Sequence, residues 1–390
     1  MNQKAAEFMF LLIRSAVNGD KLTHDHLKLY SEELLPELYT LSKRHEIANL
    51  VALGLQINSL ISPKSEFYSK FYTEISSAIV NYQRQKYEFE KLCEFFEDSE
   101  IPYVPLKGSV MRGLYPEPWM RTSCDIDILV HESHLQKCVE KYSEISTFSA
   151  PPIKDNHHIF VSTKSGVNLE FHYDLAEQSR AKFASKVLND VWRYVFLKQG
   201  SNYRYEMNAD MFVFYHFAHM AKHFEVGGCG VRPLLDVYLI GKNIQISSII
   251  NSEFFEKSGL KQFAEAVIRL SNVWFGEQKH TEATKRLESF LLTGGVFGTY
   301  KNQVCLQQHK KGGKLEYMIS RIFLPHNSLK NLYPILEKHK WLMPIMQVAR
   351  WFRVLFIGRF KRSVNELKYS SSITDEQSES MRKMLDDLGL

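Results

Sequence analysis

The pattern of apolar and polar residues divides the chain into a helical part, a short strand-rich part and a second helical part. Apolar residues recur at helical spacing over residues 3–95, most clearly in the amphipathic stretch Tyr68–Phe96. Residues 100–175 instead hold short runs in which apolar and polar side chains alternate, and such runs predict strands. After Leu175 the helical spacing returns and continues to the end of the chain, with breaks at residues 200–202, 294–295, 310–313 and 370–373. The pattern predicts an α+β fold, a small mixed β-sheet with extensive flanking helical regions.

Changes in this pattern divide the chain into four predicted regions. Residues 1–97 form an N-terminal helical region, and residues 98–180 hold the predicted strands. Residues 181–300 form a second helical region, and residues 301–390 form a C-terminal one with a basic amphipathic helix. With 390 residues, 44% of them hydrophobic, the chain is long enough for two or three structural units around a substantial core.

Two aspartates lie two residues apart in a predicted buried strand that ends at Val130. Because side chains alternate between the two faces of a strand, Asp125 and Asp127 project together, while Ile126 and Ile128 point to the opposite, apolar face. Two carboxylates on one face repel each other, and a divalent cation relieves this repulsion. The pair therefore predicts a metal site. An acidic pair at a strand end facing solvent is the alternative.

A short apolar run upstream of the aspartates ends in Lys107, Gly108 and Ser109, and Val110–Tyr115 is predicted to be a short helix. A strand that passes through Gly-Ser into a helix presents free backbone N–H groups, which bind phosphate oxygens. Gly108 lets the backbone approach closely, Ser109 is able to cap the helix or donate to phosphate, and Lys107 adds a cationic contact. Simple helix capping is the alternative explanation of the turn.

A third acid lies in the alternating run Val167–Tyr173. The alternation places Asn168, Glu170 and His172 on one face of the predicted strand. Glu170 would then complete a carboxylate triad with the two aspartates. The alternative is an exposed polar position on a half-buried strand.

Taken in order, these stretches resemble the DNA polymerase β-like nucleotidyltransferase superfamily and, within it, an uncharacterised bacterial nucleotidyltransferase family. The matching stretches are Leu106–Gly108, Leu114–Pro118, Arg121, Asp125–Val130, Leu169–His172, His219–His223, Gly228–Asp236 and, more weakly, Gly294–Gly298. The resemblance covers most of residues 30–300. It implies an enzyme that transfers a nucleoside monophosphate from a nucleoside triphosphate by a two-metal mechanism.

The resemblance also implies roles for the residues at the matching positions. Asp125, Asp127 and Glu170 would be the catalytic residues and would hold Mg²⁺ or Mn²⁺. The turn Lys107–Ser109 would position the triphosphate, with ATP as the expected nucleotide. The acceptor would be a small molecule, a glycan precursor or a protein. Long nucleic acid is not expected, because no dense Lys/Arg stripe lies near the predicted sheet.

Two departures from the family pattern concern the nucleotide site. The interval between Ser109 and Asp125 is long and contains Pro116, Pro118 and Trp119. It would form a loop over the nucleotide, or it would displace the Gly-Ser turn from the metals. Tyr173 also stands where the pattern has Trp.

Two arginines are candidates for the same site. Arg121 is predicted to meet phosphate charge, with an ion pair to a nearby acid such as Glu117 as the alternative. Arg232 and Asp236 are predicted to form a supporting polar cluster.

Histidines 216, 219 and 223 share one face of a predicted helix, because they lie at positions i, i+3 and i+7. His219, Lys222 and His223 are predicted to border the nucleotide cleft. Packing of these polar residues between helices is one alternative, and a zinc site is another.

The net charge of +5 suits an anionic substrate. The local extreme is Lys338–Arg362, where aromatic and basic residues alternate in a predicted amphipathic helix. Such a helix is able to lie in a membrane interface or to bind nucleic acid, but we favour packing of its aromatic face on the domain. Peripheral contact of residues 340–362 with the inner face of a membrane is therefore the alternative. Arg350 and Arg353 interrupt the helix well before it could span a bilayer.

The five cysteines are odd in number and lack paired metal spacing, which favours a reduced, cytoplasmic setting. No signal peptide is evident either. Two further functions were weighed: a catalytically silent protein that only binds nucleotide, and a membrane-peripheral or nucleic-acid-binding helical protein in which the acids are incidental. The complete acidic triad argues against the silent protein.

Overall fold

The computed structural model describes residues 3–148, 152–154, 157–175, 182–295, 298–356 and 369–390. Its helices, in chain order, are α1 (Gln3–Asn18), α2 (His24–Leu27), α3 (Leu35–Arg44), α4 (Ala48–Ile57), α5 (Glu66–Asp98), α6 (Gly108–Met111), α7 (Glu132–Ile145), α8 (Lys182–Leu188), α9 (Ala209–Val226), α10 (Arg232–Asn243), α11 (Ile246–Ile249), α12 (Glu253–Ser258), α13 (Lys261–Phe275), α14 (Glu282–Gly294), α15 (Tyr300–Lys311), α16 (Lys314–Ile322), α17 (His326–Leu332), α18 (Met343–Phe356) and α19 (Asp375–Leu388). The strands are β1 (Tyr103–Pro105), β2 (Asp125–Val130), β3 (Ile153–Lys154), β4 (His158–Ser162), β5 (Asn168–His172), β6 (Val195–Leu197) and β7 (Tyr205–Met207).

Five strands form a mixed sheet in the order β1-β2-β5-β4-β3. The central pair, β2 and β5, is parallel, and the other neighbours are antiparallel. Helices precede and follow this sheet along the chain. The predicted α+β fold, with a small mixed sheet and extensive flanking helices, is confirmed.

One face of the sheet is apolar and covered by helices α5 and α7. Ile126, Ile128 and Val130 of β2 pack there beside Leu169 and Phe171 of β5, and all five are buried. Burying one such side chain contributes about 1.5–3 kcal/mol, so this layer holds the two central strands in register. The opposite face of the same strands is left to the polar side chains, as the alternation predicted.

A second, larger core joins the N-terminal helices to the helices that follow the sheet. Phe10 of α1 stacks on Trp274 of α13 with ring centroids 4.3 Å apart, and α1 also packs on α4. Buried Met384 and Leu388 of α19 belong to the same core. Residues from the predicted regions 1–97, 181–300 and 301–390 therefore pack together. The four-region division itself stays a prediction.

The prediction of helix from Leu175 to the C-terminus is wrong at one place, because β6 and β7 form an antiparallel hairpin. Each strand has only three residues, which is too short for a periodic signal. The predicted break at residues 200–202 is the turn of this hairpin. Glu97 of α5 accepts a hydrogen bond from the Asn202 backbone N–H at 3.0 Å, and Tyr103 of β1 donates its N–H to the Tyr203 carbonyl at 3.0 Å.

The basic amphipathic helix is α18, and the packing that we favoured for it is wrong. Trp341, Ile345, Val348 and Phe352 are exposed, whereas the polar Gln347 is buried. The predicted helix extended to Arg362, and its basic residues Arg359, Lys361 and Arg362 lie outside the described residues. In the described part of the chain, no helix combines the length and the apolar content needed to cross a membrane.

Candidate active site

The three predicted catalytic acids meet on the polar face of the central strands. In the parallel pairing of β2 with β5, Asp127 lies opposite Glu170 and Asp125 lies opposite Asn168. The side chains of Asp125, Asp127 and Glu170 each offer one oxygen, and these oxygens all lie within 4.8 Å of one another. Carboxylate oxygens are the ligands that Mg²⁺ and Mn²⁺ prefer, so this donor set fits a divalent cation.

Asp127 is buried, with an exposed fraction of 2%, and it is contacted by two basic side chains. Lys107 Nζ donates to Asp127 Oδ1 at 2.9 Å, and His172 Nε2 contacts the same oxygen at 2.8 Å. Burial alone would raise the pKa of Asp127, but Lys107 and His172 outweigh it and hold the pKa well below its usual range. Burial would likewise lower the pKa of Lys107, yet Asp127 raises it above the ordinary value. The three groups stabilise one another's charged forms.

Asp125 differs from Asp127 although it is only two residues away. Burial, and then the charge of Asp127, raise the pKa of Asp125 to about 6, although Lys107 opposes this shift. The site therefore carries negative charge that its own basic residues do not fully neutralise. A bound cation would stabilise the ionised form of Asp125.

The Lys107–Ser109 turn lies directly beside the acids. Strand β1 pairs with β2, and the Leu106 N–H donates to the Asp127 carbonyl at 2.9 Å. Lys107 has a φ of 41°, a conformation that residues other than glycine rarely adopt. It is also the N-cap residue of α6, so helix capping by Ser109 is wrong. Ser109 Oγ is buried and has no hydrogen-bond partner among the residues that the structure describes.

Gly108 permits a close approach to its backbone, as predicted, but the groups that approach it are protein side chains. A Cβ atom at this position would lie 3.0 Å from Arg121 Nη1 and 3.1 Å from Ser123 Oγ, closer than most Cβ contacts. A larger residue would therefore push the turn away from the strand that carries the aspartates.

The long interval between Ser109 and Asp125 does not displace the turn. It forms 3₁₀ turns at Arg112–Leu114 and Pro118–Met120 that pack against α5 and α10. Asn49 of α4 donates to the Met120 carbonyl at 3.0 Å and ties this segment to the N-terminal helices.

Arg121 forms a buried ion pair, and its partner is Asp236 of α10. Arg121 Nε and Nη2 donate to the two oxygens of Asp236 at 2.9 and 2.8 Å, and Tyr115 donates to Asp236 Oδ1 at 2.8 Å. The predicted cluster of Arg232 with Asp236 divides into two, because Arg232 instead donates to Thr122 O at 2.6 Å. A contact of Arg121 with phosphate stays a prediction.

The sequence model of a family described as uncharacterised nucleotidyltransferases matches residues 31–276, more than half of the chain. The chain belongs to this nucleotidyltransferase family. It is accordingly a transferase of phosphorus-containing groups, and the matched range agrees with the predicted span of about 30–300. No curated protein and no solved structure matches the chain.

The helix α9 of this nucleotidyltransferase carries the three histidines. His219 Nε2 and His223 Nε2 lie 3.0 Å apart, and His216 Nε2 donates to the Pro233 carbonyl at 3.2 Å. Burial lowers the pKa of all three, so they are neutral at pH 7. None of the three belongs to a group of side chains in the described ranges that is close enough to hold a metal. The structure thus gives no support to the zinc alternative.

A small cavity of about 20 Å³ lies between α8 and α9, and His219, Lys222 and Tyr215 are among its lining residues. The pKa of the half-buried His219 is lowered first by loss of hydration and then by the charge of Lys107, so this face of α9 lies toward the site. Nucleotide contacts of His219, Lys222 and His223 stay predictions.

Two residues that we did not predict as site residues also lie here. His172 was placed on the face of Glu170 by strand alternation, and its Nε2 lies 3.2 Å from Glu170 Oε2 as well as beside Asp127. Tyr215 precedes His219 by one helical turn on α9 and is buried, with no hydrogen-bond partner in the described part of the chain. Burial raises the pKa of Tyr215. The charge of Lys107 opposes this rise, and the charge of Asp127 adds to it. Strand alternation could have indicated His172 as a site residue, because it lies on the same face as Glu170. For Tyr215 the only local indication was its position one helical turn before His219.

A second group of possible metal ligands shares Glu170 with the triad. His158 of β4 lies opposite His172 across the antiparallel strands, with ring centroids 5.1 Å apart. His158, Glu170 and His172 each offer a ligand atom within 4.8 Å of the others. Imidazole ligands suit transition metals such as Fe²⁺, Ni²⁺ or Zn²⁺, whereas Mg²⁺ and Mn²⁺ prefer oxygen ligands.

Proposed function

We propose that this nucleotidyltransferase moves a nucleoside monophosphate from a nucleoside triphosphate to a hydroxyl or phosphate acceptor, with Mg²⁺ or Mn²⁺ as its cofactor. The observation that carries the proposal is the convergence of Asp125, Asp127 and Glu170 oxygens within 4.8 Å on adjacent parallel strands. The family match supports the same class of reaction. ATP is the expected nucleotide.

Each acid would have its own part in this reaction. Two bound cations would activate the attacking oxygen and neutralise the leaving pyrophosphate. Asp125, Asp127 and Glu170 would hold these cations, and Glu170 would alternatively accept the proton of the acceptor hydroxyl. Lys107 and His172 keep Asp127 ionised, so that carboxylate is ready to bind a cation at any pH near neutrality.

The Lys107–Ser109 turn would hold the triphosphate. Lys107 lies 2.9 Å from Asp127, so a phosphate bound beside the acids would lie within reach of the same amine. The buried Ser109 hydroxyl has no partner among the described side chains and would donate to a phosphate oxygen. Arg121, His219, Lys222 and His223 would complete the nucleotide contacts.

The setting of the reaction is part of the same proposal. We propose that the family is a bacterial one within the DNA polymerase β-like superfamily and that the protein acts in the cytoplasm, where contact of residues 340–362 with the inner face of a membrane would bring it near its acceptor. The acceptor would be a small molecule, a glycan precursor or a protein.

Calorimetric titration tests the nucleotide site. ATP, GTP, CTP and UTP are titrated with Mg²⁺ into the wild type, into Asp125→Asn, and into the control Asp210→Asn, which changes an exposed aspartate on α9. We expect metal-dependent binding in the wild type and the control, and its loss in Asp125→Asn. Equal binding by all three proteins would show that the acids are not the metal site.

Transfer is then followed with nucleotide labelled at the α-phosphate. Covalent label that depends on Mg²⁺ and on Asp125 would identify the acceptor class. A folded wild type that binds nucleotide but labels none of the three acceptor classes would instead favour the catalytically silent alternative.

A further inference from the structure

Helix α18 turns an apolar stripe toward solvent. Trp341 lies in the 3₁₀ turn Lys340–Leu342 just before the helix, and Ile345, Val348 and Phe352 lie on α18. The four follow one another at spacings of four, three and four residues, which places them along one side. Their exposed fractions are 73%, 55%, 43% and 58%. Single exposed apolar residues are ordinary, but a continuous stripe marks an interaction surface.

The opposite side of α18 is held to the protein by polar contacts. Gln347 is buried and donates to the Leu324 carbonyl at 2.6 Å. Arg350 donates to the Arg321 and Ile322 carbonyls at 2.8 and 3.0 Å, and Trp351 Nε1 donates to the Ile322 carbonyl at 2.9 Å. These bonds fix the rotation of the helix about its axis and thereby keep the apolar stripe directed toward solvent.

Helix α16 carries a second stripe of the same kind. Leu315, Ile319 and Ile322 repeat at spacings of four and three residues and are 65%, 49% and 44% exposed. Phe323, which follows them, contacts Trp351 of α18 with ring centroids 5.4 Å apart and joins the two helices. Ten of the twenty exposed large hydrophobic side chains in the described ranges lie between residues 315 and 352.

Positive charge accompanies these apolar side chains. Residues 314–353 contain seven Lys or Arg and two Asp or Glu, an excess of five. The whole chain has the same excess, 49 basic against 44 acidic residues, so the rest of the molecule is balanced. Arg321, Lys338, Lys340 and Arg353 are exposed within this segment.

We propose that residues 314–353 bind an anionic lipid surface, with the apolar stripes entering the headgroup region and the basic side chains meeting the lipid phosphates. Amphipathic helices with aromatic and basic residues bind membranes in this way, and each basic residue near the surface adds to the attraction. A second copy of the chain fits less well, because a symmetric interface would press the same positive surface against itself.

Vesicle sedimentation of the full-length protein tests this surface. The vesicles are phosphatidylcholine alone, or phosphatidylcholine mixed with phosphatidylglycerol, and neither nucleotide nor metal is added. We expect the wild type to bind the anionic vesicles at least about tenfold more tightly than the neutral ones. Because the transfer reaction plays no part in this measurement, its result is independent of the proposed transfer activity.

Three variants assign the binding to the surface. Trp341→Gln/Ile345→Gln removes two stripe residues, and Lys340→Gln/Arg353→Gln removes two charges. Both should weaken binding to anionic vesicles about tenfold or more. The control, Val80→Gln/Tyr87→Gln, changes side chains of α5 with similar exposure and should bind like the wild type.

Several results would overturn the proposal. One is a folded wild type that ignores anionic vesicles, and another is equal loss of binding in the α5 control. A third is a stable dimer in light scattering that Trp341→Gln/Ile345→Gln converts to a monomer, since the surface would then join two copies. Binding of a single-stranded oligonucleotide in preference to vesicles would count against it in the same way.

Discussion

Asp127, on the polar face of the sheet, is buried and paired, whereas Lys340 and Arg353 of residues 314–353 lie at the surface among exposed apolar side chains. In the sheet, Asp127 has Lys107 and His172 within 3 Å, and the nearby Asp236 has Arg121. In the C-terminal region the exposed basic residues face solvent beside side chains such as Trp341.

The difference reflects the cost of keeping a charge in each environment. A buried charge costs several kcal/mol unless partners compensate it, and Lys107 and His172 compensate Asp127 in this way. A surface charge costs little, because water solvates it. Single substitutions in the sheet should therefore change the free energy of unfolding. Substitutions at the C-terminal surface should change it little and should affect only binding to a partner.

The largest expected effect is the loss of activity in Asp125→Asn. In the proposed reaction Asp125 holds the cations, so its removal should lower transfer on the order of a thousandfold, since such ions supply several kcal/mol of transition-state stabilisation. Initial rates with labelled nucleotide measure this. Activity within a few-fold of the wild type would remove Asp125 from the site.

The same variant should be more stable than the wild type when metal is absent. The pKa of Asp125 is raised from 3.8 to about 6, so the ionised side chain destabilises the fold above that pH, by about 3 kcal/mol near pH 8. Asparagine removes this cost, and the gain should shrink as the pH falls from 6 to 4. Urea unfolding in EDTA at several pH values measures it. A loss of stability at pH 8 would contradict the proposed crowding of carboxylates.

Asp236→Asn should be the most destabilising change near the site, by about 3 kcal/mol, because it leaves Arg121 buried without its charge partner. Urea unfolding measures the effect. In the double variant Arg121→Gln/Asp236→Asn, much of the loss should be recovered. If the double variant instead sums the two single losses, the pair is not coupled, and the phosphate contact predicted for Arg121 gains weight.

Asp127→Asn should destabilise the protein by about 2 kcal/mol, opposite in sign to Asp125→Asn. It removes the charge that Lys107 and His172 share, although the partly exposed Lys107 side chain keeps some access to water. Paired unfolding curves of the two variants make the comparison. The same sign of change in both would mean that the two aspartates have similar surroundings.

Local periodicity accounts for what could be predicted of the site. Alternation alone placed Asp125 with Asp127 and Glu170 with His172, because a strand has only two faces. Glu170 was expected to complete the triad, but no local pattern predicts that β2 and β5 are neighbours, since pairing of distant strands leaves no such signal.

Contacts set by tertiary packing could not be predicted. The partner of Arg121 is Asp236, 115 residues away, and local spacing suggested Glu117 instead. Tyr215 reaches the site because α9 packs against it, which helical periodicity alone does not reveal. The β6–β7 hairpin has three-residue strands, so its pairing depends on contacts with Glu97 and Tyr103 more than on any pattern of its own.

Tyr215→Phe should lower transfer about tenfold, if its hydroxyl donates to substrate beside Lys107. Stability should stay within about 0.5 kcal/mol, because the hydroxyl has no partner in the described structure and the ring remains. Separate kcat and KM values show whether the hydroxyl acts on binding or on the reaction. The control Tyr238→Phe changes a tyrosine of α10 and should leave both constants unchanged. Unaltered kinetics in Tyr215→Phe would make this residue part of the packing only.

The smallest effect is expected at the C-terminal surface in the absence of vesicles. Trp341→Gln/Ile345→Gln should change the free energy of unfolding by no more than about 0.5 kcal/mol, since both side chains are largely exposed. Leu336→Ala, a fully buried neighbour, should cost about 3 kcal/mol and shows that the measurement senses this region. A comparable loss in the surface variant would mean that the stripe is covered within the molecule. The stripe would then be a buried, packed surface like the face of the sheet around Asp127, and it would not be available to a membrane.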